Sequence, residues 1–139
     1  MSWFVFALFS AVFAAATAIL GRLGVKDVNS NLATAIRTVV VLVFAWGIVF
    51  ATGAQQELGK LSRGTVGFLI ASGLATGISW LFYFRALQLG TASKVAPVDR
   101  FSVVLTVVFA AVFLGERLSW GVAAGAALVT AGTILIALG

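Results

Sequence analysis

The sequence contains no cysteine and no histidine. Their absence excludes disulfide bonds, thiolate nucleophiles, the usual zinc ligands and imidazole acid–base catalysis together. Charge is scarce as well. Asp, Glu, Lys and Arg make up 9% of the 139 residues, where a soluble domain carries roughly 25%. Such a chain cannot cover itself with groups that water solvates, so lipid must be the solvent for most of it. What is present instead is a 62% share of apolar residues and a mean hydropathy of +1.16. The net charge of +5 would point to nucleic acid in a soluble protein. Here the cations form no run and no stripe, and their place is at helix ends beside an anionic membrane surface. Neither a nucleic-acid partner nor a metal or cofactor is expected.

Five apolar stretches are separated by short polar or glycine-containing breaks. They cover about residues 3–20, 32–52, 66–89, 95–114 and 121–138. A hydrocarbon core of about 30 Å takes about 20 helical residues, and each stretch is close to that length. The breaks are too short to fold as a second domain. The expected fold is therefore an all-α membrane protein, a bundle of five transmembrane helices in one domain over residues 1–139. A cleaved signal peptide is the alternative reading of the first stretch. It needs cations before the apolar run, and Met1-Ser2 supplies no side-chain charge. Small residues recur at four-residue spacing: Ala7, Ala11 and Ala15 in span one, Gly73 and Gly77 in span three, Gly121 and Gly125 in span five. Such rows let helix backbones approach closely in lipid, and packing inside the bundle is the expected use. Trp3, Trp46 and Trp120 suit interfacial anchors. Pro97 falls in the first turn of span four, where its missing N–H costs little. Gly115 suits the end of that span, with Glu116 and Arg117 as a cap.

Four ionisable residues lie within the spans: Arg37, Arg85, Asp99 and Arg100. An Arg or Asp at a helix centre costs roughly 2.5–3.5 kcal/mol on the translocon scale, so each needs a reason. Because successive spans alternate in direction, all four fall toward the same side, about 6–8 Å inside the span ends at ~1.5 Å per residue. They can meet there as one polar layer. The arginines could instead snorkel to the interface, but Asp99 is too short to do so and is expected to pair with Arg37 or Arg85. Two polar stripes lead to this layer. Thr76, Ser79, Trp80 and Tyr83 follow helical spacing in span three, and Asp99, Ser102 and Thr106 do so in span four. Hydroxyls can satisfy themselves on their own backbone. Two stripes that converge on buried charge, with Trp and Tyr among them, read as the wall of a solute path. Asp99 is the candidate for ion coupling.

The second half of the chain carries a recognisable pattern. Trp80-Leu81-Phe82-Tyr83-Phe84-Arg85-Ala86-Leu87 is followed by Gly90-Thr91-Ala92-Ser93-Lys94-Val95-Ala96-Pro97, then by a span ending Leu114-Gly115-Glu116-Arg117-Leu118 and a glycine-rich last span. This resembles the EamA domain of the drug/metabolite transporter superfamily. The first half matches through Ala35-Ile36-Arg37. The resemblance covers nearly the whole chain and is closest to the short five-span bacterial and archaeal branch, in which one unit makes up the entire protein. Most EamA proteins carry two units, and many have a proline near the middle of span four, where this chain has Ser102-Val103. The resemblance implies one half of a ten-span inverted-repeat transporter, in a prokaryotic cytoplasmic (inner) membrane. It also implies solute export or exchange through a central cavity.

An odd number of spans puts the termini on opposite sides. Two copies in antiparallel arrangement then give the inverted symmetry that alternating-access transporters use. Loop cations support no fixed orientation: Lys60, Arg63 and Arg117 fall on one side, and Arg22, Lys26 and Lys94 on the other. Adding Arg37, Arg85 and Arg100 to the second side would place the C-terminus in the cytoplasm. The expectation is thus a homodimeric secondary transporter of a small solute or metabolite, with dual topology as one form of the dimer. The competing reading is a non-transporting scaffold or a subunit of a hetero-oligomeric transporter. A membrane enzyme is disfavoured, because no nucleophile–base pair is visible.

Overall fold

The computed structural model describes residues 2–139 and is helical almost throughout. Its elements are α1 (Trp3–Gly24), α2 (Ser30–Thr52), a 3-10 helix (Ala54–Lys60), α3 (Arg63–Leu89), α4 (Ala92–Asp99), α5 (Phe101–Phe113) and α6 (Trp120–Leu138). Five helices are long and apolar enough to cross a membrane: α1, α2, α3, the pair α4–α5 taken over Ala92–Phe113, and α6. The chain is an integral membrane protein with the five spans that its hydropathy pattern predicts. Large apolar side chains face outward along every span, among them Phe13, Phe44, Phe68, Phe113 and Leu135. In water such a surface would aggregate, whereas in a bilayer it faces acyl chains.

The helix ends follow local chemistry. Asn29 caps α2: its Oδ1 accepts from the Asn31 N–H at 2.9 Å and the Leu32 N–H at 3.3 Å, which satisfies two donors that no helical carbonyl can reach. Gly53 closes α2 at φ 74°, a left-handed conformation that glycine adopts without strain. Gly115 does the same after α5 at φ 66°, and the Glu116 N–H turns back to the Ala110 carbonyl at 3.2 Å. The expected helix-end role of Gly115 is what the backbone adopts.

The chain divides into two compact units. One holds residues 21–88, which include the last turn of α1, α2, the 3-10 helix and nearly all of α3. Its packed centre is small: Val25, Phe84 and Leu87 are buried, with Ser30 and Thr34. Gly21 permits the close approach here. A Cβ on it would stand 3.3 Å from both Leu87 Cδ1 and Phe84 Cε1.

The other unit holds residues 1–20 and 89–139. In it α6 packs against both α4 and α5, and the Thr133 hydroxyl donates to the Pro97 carbonyl at 3.4 Å. Span four differs from expectation. Its helix begins at Ala92 rather than Val95, which moves Pro97 from the first turn into the helix interior. The ring there removes a donor and crowds the carbonyl four residues earlier. The helix breaks three residues on, at Arg100 (φ −66°, ψ −8°). Bonds to the third residue back, from Arg100 N–H to the Pro97 carbonyl (3.1 Å) and from Val103 N–H to the Arg100 carbonyl (2.9 Å), bridge the junction. A tightened turn of this kind marks a local discontinuity in a helix.

Candidate solute site

Arg37 stands eight residues into α2, about 10 Å along the axis from the helix start at ~1.5 Å per residue. On α3, Trp80 and Phe84 are four residues apart, so both rings lie on one face. The helix presents that face to Arg37. Its guanidinium carbon lies over the Trp80 ring at 4.5 Å from the centroid and over the Phe84 ring at 5.1 Å. Both distances fall within the ~6 Å over which a ring quadrupole attracts a cation. Tyr83 meets Phe84 edge to face, with centroids 6.0 Å apart at 85°, a second aromatic contact on the buried ring. The cation inside the span is thus held on aromatic faces.

Two further guanidiniums of this unit, those of Arg22 and Arg85, are engaged differently. Arg22, in the last turn of α1, donates through Nη1 to the Leu87 carbonyl at 2.8 Å and to the Gln88 carbonyl at 3.4 Å. It thereby covers the negative end of α3. Arg85 donates to Gln88 Oε1 at 2.6 Å. The Gln88 amide Nε2 in turn donates to the Val25 carbonyl at 3.1 Å and the Val28 carbonyl at 2.8 Å. One side chain therefore ties Arg85 to the turn between α1 and α2. Gln88→Leu leaves two carbonyls and a guanidinium without that partner. At about 1–3 kcal/mol per unsatisfied buried group, reduced for the exposed Val28 side, it is expected to lower stability by about 2 kcal/mol. A melting curve of the purified protein checks this, and an unchanged midpoint would refute it.

Of the residues read as a solute path, Arg37, Thr76, Ser79, Trp80, Tyr83 and Arg85 belong to this unit, and Asp99, Arg100, Ser102 and Thr106 to the other. Neither unit alone assembles the full charged layer that depth in the membrane predicts. Two hydroxyls of the stripes bond their own helices: Thr76 to the Ser72 carbonyl at 2.9 Å, Thr106 to the Ser102 carbonyl at 2.8 Å. Phe84, Gln88 and Arg22 were not singled out by sequence pattern. The i, i+4 spacing of Trp80 and Phe84 is the signal that was there to be read.

In the second unit a groove of about 650 Å³ is lined by the small-residue face of α1, including Ala7, Ser10, Ala11 and Ala14, together with Pro97, Arg100 and Thr133. The four-residue rows of α1 thus form part of a cavity wall. The glycines of the later spans pack differently. A Cβ at Gly73, Gly77 or Gly125 meets no atom within 4 Å, and at Gly121 only Ser119 Oγ at 3.9 Å.

Five apolar spans, a cation over aromatic rings within one of them and a groove along another define a polytopic membrane protein. The family model described as the EamA-like transporter family matches residues 1–138. The chain belongs to that family. It is 49% identical over 137 residues to a protein of Sinorhizobium sp. named "Uncharacterized transporter in cobO 3'region", an alignment that covers 99% of this chain and 97% of that one. No solved structure matches the chain.

Proposed function

We propose that the protein is a secondary transporter that moves a small solute or metabolite across the cytoplasmic membrane, working as a homodimer whose two copies run antiparallel. The observation that carries this is Arg37. A guanidinium one-third of the way along a span, over the rings of Trp80 and Phe84, is costly in lipid, and a role in binding a solute accounts for it. Membrane family membership adds to it. Arg37, with Trp80 and Tyr83 around it, is the solute-binding group in this reading. Thr76 and Ser79 extend the path along α3, Arg85 lies one face over on the same helix, and Arg100, Ser102 and Thr106 are the candidate solute contacts of the other unit. Asp99 couples transport to an ion.

The homodimer is favoured by the glycine faces of α3 and α6, where a Cβ at Gly73, Gly77 or Gly125 meets no described atom within 4 Å. Small residues are where helices of separate chains approach in lipid. Equal loop cations on the two sides suit insertion in both orientations.

The test is release from vesicles. Proteoliposomes are loaded with an equimolar mixture of carboxylates, neutral metabolites and amines, and mass spectrometry follows what leaves faster than from protein-free vesicles. At least one component is expected to leave. Under an imposed ion gradient, Asp99→Asn is expected to reduce accumulation of that component to the protein-free background while leaving insertion intact. Release of nothing would favour the scaffold reading.

A further inference from the structure

We infer that the solute recognised at Arg37 is an anion, a small carboxylate, and that Arg37 is the group that binds it. This rests on the solute-site reading above and names its substrate class. The first ground is where the charges stand. The unit of residues 21–88 places Arg22, Arg37, Arg63 and Arg85 in its helices, and its acids are Asp27 and Glu57 alone. Asp27 lies in the turn before α2, and Glu57 lies in the 3-10 helix after the far end of α2. No acid stands within a span of this unit.

The second ground is how Arg22, Arg37 and Arg85 are satisfied. Arg22 takes helix-end carbonyls and Arg85 takes the Gln88 amide oxygen. Arg37 instead takes ring faces. A ring face lowers the energy of a cation but is a poor acceptor, whereas a guanidinium carries five N–H donors in one plane. Those donors call for oxygen, and the geometry that fits them is the two-pronged edge of a carboxylate. The rings steady the guanidinium, and the donors along its edge suit such a partner.

The third ground is exclusion. A cationic solute about 6 Å from the guanidinium, at an effective dielectric of about 20, is disfavoured about a hundredfold by charge alone. An anion gains by the same amount.

Trp80 makes the test direct, since its ring is the surface on which the guanidinium rests. In a Trp3→Phe, Trp46→Phe, Trp120→Phe background, Trp80 is the sole tryptophan. Its emission is followed in phosphatidylcholine vesicles during titration with propanoate and cyclohexanecarboxylate, and with the amide and amidinium analogues of the latter. A saturable change with at least one carboxylate is expected, and none with the amide or the amidinium. Arg37→Gln is expected to weaken the carboxylate response by about tenfold or more, as loss of a charge-assisted pair requires. Arg37→Lys, which keeps charge but not the fork, should fall between. A saturable response to the amidinium, no response to either carboxylate, or an unchanged response in Arg37→Gln would overturn the assignment. So would a carboxylate response abolished by adding phosphatidylglycerol, which would make the lipid phosphate the resident anion. The release assay separates the two readings. If only amines or neutral compounds leave the vesicles, the anion assignment fails and transport stands. If Trp80 titrates with carboxylate while nothing leaves, transport fails and the anion site stands.

Discussion

Arg37→Leu is expected to abolish transport and at the same time to leave the protein as stable as before or more so. Two magnitudes decide this. An arginine at a helix centre costs roughly 2.5–3.5 kcal/mol against lipid, and leucine there gains about 0.3–0.6 kcal/mol. Contact with aromatic faces returns about 0.5–2 kcal/mol. The half-buried position of Arg37 and its depth short of the span centre reduce the first figure. The balance still favours leucine by about 1 kcal/mol. For a chain of 139 residues that corresponds to a rise of about 3–5 °C in melting midpoint. Arg85→Leu makes the contrast. Arg85 is bonded to Gln88, which holds the carbonyls of Val25 and Val28, so its loss releases a connection and the midpoint is expected to fall. Flux in reconstituted vesicles and a melting curve on the same preparations check both. A midpoint several degrees lower in Arg37→Leu would make the residue a structural pin, and the solute site would have to be sought elsewhere.

The contrast between these two arginines also shows what the sequence does and does not carry. Hydropathy locates all five spans because desolvating a backbone in lipid leaves helix as the one solution for a single segment. Each helix extends past the apolar run itself, since polar caps such as Asn29 and Ser62 are part of the helix start but not of the greasy stretch. Hydropathy that begins only at Val95 makes Pro97 a helix-start proline. The helix in fact starts at Ala92, after Thr91, so the same residue becomes a break that ends α4 at Asp99. For the site, the types of residue were legible and their partners were not. Arg37, Trp80, Tyr83 and Arg85 stand out as polar or aromatic groups in a span. That Arg37 rests on Trp80 and Phe84, while Arg85 turns to Gln88, depends on the rotation of α3 about its own axis. One face of that helix is nearly as apolar as another, so no periodicity in the sequence specifies the rotation. Phe84 reads as one more apolar residue until its position against Arg37 is seen.

The glycines of α3 provide a test of the proposed dimer face. A Cβ at Gly73 or Gly77 meets no described atom within 4 Å, so the first atom of a side chain at either site has room. Glycine within a helix is also about 1 kcal/mol less favourable than alanine, and a larger residue recovers part of that. The double change Gly73→Ile, Gly77→Ile is therefore expected to insert, purify and melt at or above the parent midpoint. If two copies meet along this face, the same change holds their backbones apart by the width of a side chain. Small-residue interfaces in lipid depend on that close approach. Cross-linking in vesicles is then expected to give monomer in place of dimer, with flux at background. Gly73→Ala, Gly77→Ala should be intermediate, because a methyl group admits an approach that isoleucine prevents. The matching pair on α6, Gly121→Ile and Gly125→Ile, distinguishes the two faces. Only the face used by the dimer should lose flux, and a double variant on α3 that remains dimeric and active would move the interface to α6.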